Sequence, residues 1–275
     1  MNTAISQPSK RSSAPCPRQS LTEVDYAPFD VPPGLLGKTL PLRSFIKWIV
    51  TYTLFAVTTV TLTSCSSIKG RPIDEANYKH PIRVACVGDS ITFGYGIPDR
   101  AHNSYPAVLQ RLLGHHWEVR NFGVSGATLL KKGTRPYNEQ SAFRDALSFE
   151  PDVVVIKLGT NDTNPKSWPS HKGDFVSDYL DLIHQFQDLE TKPRIYLCLP
   201  VPLFRDRGQK YDTDKILTGE IIPQIKEIAR RGHVPVIDLY AEFEDKRELF
   251  PDGVHPNTEG ARILAQTIYK MLTGA

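Results

Sequence analysis

From residue 80 onward, short runs rich in apolar residues alternate with longer segments in which apolar residues recur every third or fourth position. The short runs are IRVACVG (82–88), WEVRNFG (117–123), DVVVIKLG (152–159), RIYLCLP (194–200) and VPVIDL (234–239). Their length and their wealth of Val and Ile predict strands. The intervening periodicity predicts helices over 104–114, 139–149, 173–189, 214–231 and 256–272. The first of these offers Ser104 as its cap, Pro106 in its first turn and Gly114 at its stop. Strands separated by helices imply βαβ units and a parallel sheet. Runs as apolar as VVVIKL and IYLCL imply that both faces of that sheet are covered. The pattern therefore predicts one α/β domain over 78–275, built on a five-stranded parallel sheet.

The front of the chain reads differently. Residues 1–42 are rich in Pro and Ser, lack periodicity and have the composition of a disordered extension. Residues 43–65 form a hydrophobic segment behind the basic flank Arg43/Lys47, and 66–77 read as a linker. Between Lys47 and Lys69 lie 21 uncharged residues, but six are Thr and four near the end are Ser or Cys. The strongly apolar part suits a signal-peptide core better than a full membrane span. Leu62-Thr63-Ser64-Cys65 resembles a bacterial lipobox, which makes Cys65 a candidate for lipidation. The expectation is a protein of the bacterial cell envelope or periplasm, held at the membrane by an N-terminal lipid or hydrophobic anchor; an uncleaved anchor and plain secretion are the alternatives.

Charge then narrows the class of partner. Residues 1–64 carry six Lys/Arg and three acids, which leaves 27 of each for residues 65–275. A neutral domain without a basic stripe is not that of a nucleic-acid binder. Four Cys are too few and too scattered for a disulfide framework, and Cys86 and Cys198 fall inside strand patterns as buried thiols. The histidines His80, His102, His115, His116, His171, His184 and His233 show no metal-ligand spacing, so no metal and no cofactor are expected.

In an open parallel sheet, ligands bind beyond the carboxyl ends of the strands. Four such ends carry Gly88-Asp89-Ser90, Gly123-Val124-Ser125-Gly126, Gly159-Thr160-Asn161-Asp162 and, after a linking segment, Asp252-Gly253-Val254-His255. Each alone has an ordinary explanation as a turn or a cap. Together they supply a hydroxyl, a glycine N–H, a carboxamide and an Asp-x-x-His pair. Acyl transfer needs such a set: a base to activate the hydroxyl, a carboxylate to orient the base, and preset donors for the oxyanion. The spacing of acid and histidine differs from the separated acid and histidine that accompany a G-x-S-x-G elbow.

These four blocks, GDS, GVSG, GTND and DGVH, resemble the SGNH/GDSL hydrolase superfamily, and the resemblance spans 80–275. It implies a flavodoxin-like three-layer α/β/α sandwich. By position it assigns Ser90 as nucleophile, His255 as general base and Asp252 as its orienting carboxylate. The backbone N–H groups of Ser90 and Gly126 and the side chain of Asn161 would form the oxyanion hole. Asp89, Asp162 and Trp168 would support the site or line a substrate loop.

The stretches GTNDTNPKSW (159–168), DFVSDYLDLIHQF (174–186), KPRIYLCLPVPLF (192–204) and LFPDGVHPNTEGA (249–261) further resemble sialate O-acetylesterase-like carbohydrate esterases of bacteria. The implied substrate is an acetyl ester on a small sugar or polysaccharide. Loop residues Arg135, Tyr137, Asn138, Asn164, Lys166, Trp168, Arg205 and Arg207 offer rings and hydrogen-bonding groups suited to sugars. A lysophospholipase or thioesterase of the same superfamily is the alternative, followed by an O-acetyltransferase or a carbohydrate-binding protein on the same fold.

Overall fold

The computed structural model describes residues 70–204 and 213–275. The expectations for residues 1–42, for 43–65 with Cys65, and for Arg205 and Arg207 fall outside the described residues. Among the described residues no helix is long and apolar enough to cross a membrane.

Five parallel strands lie in the order β2-β1-β3-β4-β5. They are β1 (Ile82–Gly88), β2 (Trp117–Gly123), β3 (Val153–Lys157), β4 (Arg194–Cys198) and β5 (Val236–Ile237). In register, Gly88 of β1 stands beside Gly123 of β2 and Lys157 of β3, so three strand ends lie level. Side chains alternate across the sheet with the period of two that a pleated strand imposes. Ala85, Val87, Val154, Ile156 and Leu197 join one apolar cluster, with residues of the helices Ser141–Ser148, Phe175–Gln187 and Ile222–Gly232. Val84, Cys86, Val155, Tyr196 and Cys198 join the other, with the helices Tyr105–Leu113 and Thr258–Thr273. The fold is thus the three-layer α/β/α sandwich with a five-stranded parallel sheet. Cys86 and Cys198 are free, buried thiols, and burial pushes both up, Cys198 to about 12.

The helix expected over 214–231 is present over 213–232 and holds a π-helical stretch Leu217–Ile221 between Thr213–Ile216 and Ile222–Gly232. Pro223 accounts for that stretch, since it has no N–H to return to the preceding turn and a widened turn accommodates the loss. Three local expectations need correction. Ser104 occupies the cap position before Tyr105–Leu113, but its hydroxyl makes no capping bond. The fifth strand shrinks to two residues, Val236–Ile237. Residues 70–77, read as linker, are part of the domain. Ile73 is buried and its N–H donates to the Leu272 carbonyl at 2.7 Å, while Glu75 accepts from Trp117 Nε1 at 2.8 Å.

Candidate active site

At the end of β1 the chain must turn abruptly. Gly88 permits this: a Cβ there would sit 2.2 Å from Thr92 Oγ1 and 2.7 Å from the Lys157 carbonyl. Asp89 follows in extended conformation, and its carboxylate accepts from the Ile91 N–H at 2.9 Å, capping the short helix Ser90–Phe93. Ser90 therefore stands at the first position of a helix, where its own N–H has no intrahelical acceptor.

The end of β2 packs directly beneath this turn. A Cβ on Gly123 would lie 2.2 Å from the Phe93 nitrogen, and the Val124 N–H donates to the Gly88 carbonyl at 2.9 Å. The chain then passes through Gly126, whose φ of +77° is readily adopted by glycine. At the end of β3, Gly159 turns with φ of +117° into Asn161, whose Nδ2 donates to the Ala127 carbonyl at 2.9 Å. A carboxamide has two N–H donors. This bond uses one to fasten the Asn161 loop to the Gly126 loop and leaves the other for an oxyanion.

Asp252 and His255 come on a single turn after Phe250. Asp252 Oδ1 accepts from the N–H groups of Val254 (2.9 Å) and His255 (2.8 Å), and Oδ2 lies 2.7 Å from His255 Nδ1. Partial burial works to raise this carboxyl, but the bonds from the His255 ring and the two N–H groups outweigh it and hold it at about 2. An ionised carboxylate only accepts, so Nδ1 carries a proton, and in the neutral ring the lone pair then lies on Nε2. Nε2 lies 2.8 Å from Ser90 Oγ. The sequence-predicted Ser90, His255 and Asp252 are thus joined in one chain of hydrogen bonds with the polarity that proton abstraction from a serine requires. The next helix, Thr258–Thr273, is capped by Asn257, whose Oδ1 accepts from the Gly260 N–H at 2.9 Å.

Of the two roles open to Asp89, Asp162 and Trp168, burial leaves the supporting one. Asp162 is fully buried and accepts from the Leu129 and Leu130 N–H groups, both at 2.9 Å. Its burial lifts it to about 6 against the pull of those two donors. Trp168 is buried and donates Nε1 to Glu220 at 3.1 Å, so it presents no ring to a substrate. Tyr137 is also buried, its hydroxyl donating to the Phe122 carbonyl at 2.7 Å. Arg135 spends its guanidinium on the Ser125 carbonyl at 2.7 Å and on Gln140.

Two residues beside the site escaped the sequence reading. Lys157, the last residue of β3, is buried with Nζ 3.3 and 3.4 Å from the Asp89 oxygens and 3.3 Å from Thr160 Oγ1. One ammonium so braces the turn that carries Ser90 against the turn that carries Asn161. The signal was a lone charge in an otherwise apolar run, which demands a buried partner. The second is Tyr95, 53% exposed, whose ring centroid lies 4.6 Å from that of His255. Among the described residues no group of three or more His, Cys, Asp or Glu side chains could hold a metal ion.

The model of the GDSL-like lipase/acylhydrolase family matches residues 86–263, which contain all four blocks. An acetylxylan esterase of Xylanibacter ruminicola is 42% identical over 205 residues, covering 68% of this chain and 42% of that protein. The chain thus spans less than half the length of that curated relative. Among solved structures, an aryl esterase of M. smegmatis aligns over 70% of this chain and 98% of its own, with a TM-score of 0.55 at 22% identity. An acetyl xylan esterase aligns over 69% of this chain and 98% of its own, with a TM-score of 0.52 at 23% identity. Those two likenesses are of fold. The family match covers most of the chain and includes the strand ends that bring Ser90, Asn161 and His255 together, so this chain belongs to the GDSL-like lipase/acylhydrolase family.

Proposed function

We propose that this protein is a serine esterase that removes acetyl groups from carbohydrate through an acyl-enzyme. The observation that carries the reading is the unbroken chain from Ser90 Oγ through His255 Nε2 (2.8 Å) and Nδ1 to Asp252 Oδ2 (2.7 Å). As Ser90 Oγ bonds to the acyl carbon, His255 Nε2 takes its proton, and Asp252 stabilises the imidazolium without accepting that proton. The developing oxyanion receives the N–H groups of Ser90 and Gly126 and the second N–H of Asn161. Collapse breaks the ester bond, and the leaving alcohol oxygen takes the proton from Nε2. Water then adds to the acyl-enzyme by the same route reversed, releasing the acid and Ser90. The acetylxylan esterase relative, at 42% identity, supports an acetylated carbohydrate as substrate class. We also propose that the domain works in the bacterial envelope, tethered through lipidated Cys65; intact-mass analysis of the membrane fraction, with Cys65→Ala as control, tests this.

The enzymatic reading is tested with p-nitrophenyl esters from acetyl to decanoyl, with Ser90→Ala as background, followed by acetylated xylo-oligosaccharides with release of acetate measured. A maximum at acetyl with release from the sugar supports it. A maximum at eight carbons or more replaces it with a lipid or thioester hydrolase, and equal rates for Ser90→Ala remove the nucleophile.

A further inference from the structure

Tyr95 sits where water gains nothing from a phenol ring. It is 53% exposed, against 38% for Leu112, the other large apolar side chain left in solvent among the described residues. Its backbone is held with unusual care. The Tyr95 N–H donates to the Ser90 carbonyl at 2.9 Å, and the flanking Gly94 and Gly96 take φ of +88° and +76°. A Cβ on Gly94 would meet Ser104 at 2.8 Å and Arg100 at 2.9 Å, so the turn is seated closely against the next helix. Ile97, two residues after Tyr95, is buried and anchors the far side. The ring is thereby tilted 45° over His255, with centroids 4.6 Å apart.

The chemistry fixes which part of a substrate meets this ring. The acyl carbon is bonded to Ser90 Oγ and its oxyanion points toward Gly126 and Asn161. The leaving oxygen must approach within hydrogen-bond reach of Nε2 to be protonated. The carbon skeleton of the alcohol therefore lies beside the imidazole, and Tyr95 borders the imidazole. We infer that Tyr95 forms a platform for the alcohol half of the ester, receiving the C–H face of a ring such as a pyranose, and that it selects the alcohol and not the acyl group. The negative face of an aromatic ring attracts the positively polarised C–H groups that a sugar presents. The ring-face ligand rests on the carbohydrate reading above; the assignment to the alcohol side does not.

The test compares kcat/KM for wild type, Tyr95→Ala and Tyr95→Phe in the full chain. One series keeps acetyl and varies the alcohol: methyl acetate, cyclohexyl acetate and an acetylated methyl xyloside. The other keeps methyl and varies the acyl group from acetyl to butyryl. Tyr95→Ala should lose about five- to tenfold on the ring alcohols and under twofold on methyl acetate. The acetyl-to-butyryl ratio should stay fixed, and Tyr95→Phe should keep wild-type values on the ring alcohols. An equal loss on methyl acetate would overturn the platform and make Tyr95 a support for His255. A changed acyl ratio, or no loss on any ring alcohol, would overturn it outright. Selective loss on cyclohexyl acetate in an enzyme that ignores the xyloside would uphold the alcohol-side assignment and remove the carbohydrate reading.

Discussion

Replacing Lys157 by Met keeps the length of the side chain and removes its charge. In the native protein the Lys157 and Asp89 side chains are 1% and 0% exposed and 3.3 Å apart. At an effective dielectric near 20, unit charges at that separation attract by about 5 kcal/mol, most of it offset by the desolvation of both groups. The pair as a whole is therefore close to neutral in stability, but half of it is not. Lys157→Met strands the Asp89 carboxylate with the Ile91 N–H as its remaining donor, and a broken buried pair costs about 3–5 kcal/mol. That is a fifth or more of the roughly 5–15 kcal/mol that stabilises a typical domain. The exposed Lys132–Asp174 pair is shorter, at 3.0 Å, yet its loss should cost under about 1 kcal/mol. Urea unfolding followed by the fluorescence of buried Trp117 and Trp168 measures both. The double variant Asp89→Asn/Lys157→Met removes both charges and retains an acceptor for Ile91, so it should recover most of the loss. A Lys157→Met variant within 1 kcal/mol of wild type, or a double variant no more stable than the single, would refute the account of a buried pair.

The remaining predictions concern the site itself. On the proposed mechanism Asn161→Ala removes an oxyanion donor along with the tether to Ala127, and should lower kcat by about 10²–10³ with KM little changed, measured on p-nitrophenyl acetate. Asp252→Asn should lower kcat by up to about 10⁴, because the amide no longer holds the Nδ1–H tautomer, while the folded fraction in urea changes little; a silent variant would unseat Asp252. Asp162, raised to about 6 by burial, takes up protons in the folded state at a pH where the unfolded chain has released them. Its contribution to stability therefore falls as pH rises from about 4 to 6, by something on the order of 3 kcal/mol, and is constant above that. Subtracting the urea stability of Asp162→Asn from that of wild type across pH 4–8 isolates this slope, and a flat difference would count against it.

The strands were legible because five β-rich runs of the right length are hard to read otherwise, and in a parallel sheet their carboxyl ends are also where a site belongs. That pointed to Ser90, Gly126, Asn161 and the Asp252–His255 pair, and the structure joins Ser90, His255 and Asp252 by hydrogen bonds. What stayed hidden depends on direction, which local sequence does not encode. GTNDTNPKSW contains a tryptophan equally suited to a cleft or to a core; packing against Phe175, with ring centroids 5.3 Å apart, decides for the core. Tyr137 turns inward for the same kind of reason, against Phe143. Lys157 was visible as a charge in an apolar run, but its partner Asp89 lies 68 positions away and is chosen by strand order. Ser104 failed as a cap because its residue type allowed the bond without requiring it.

The way Asp252 and His255 share one turn determines how the site fails. Three bonds at 2.7–2.9 Å tie the acid to the base and to the backbone between them, so the two move as a single insert. Ser90 lies on another segment, 165 positions away, reached through the 2.8 Å contact to Nε2 and the Tyr95 ring beside the imidazole. The insert is moored from outside by the Phe204 N–H on the Gly253 carbonyl and the Asn257 N–H on the Leu249 carbonyl. Loosening those moorings lengthens the gap between Nε2 and Oγ and parts the imidazole from the Tyr95 ring, while the bonds to Asp252 keep the imidazole oriented within the insert. Thermal inactivation of this kind would precede global unfolding and reverse completely on cooling, since reseating the insert restores a base that never lost its orientation.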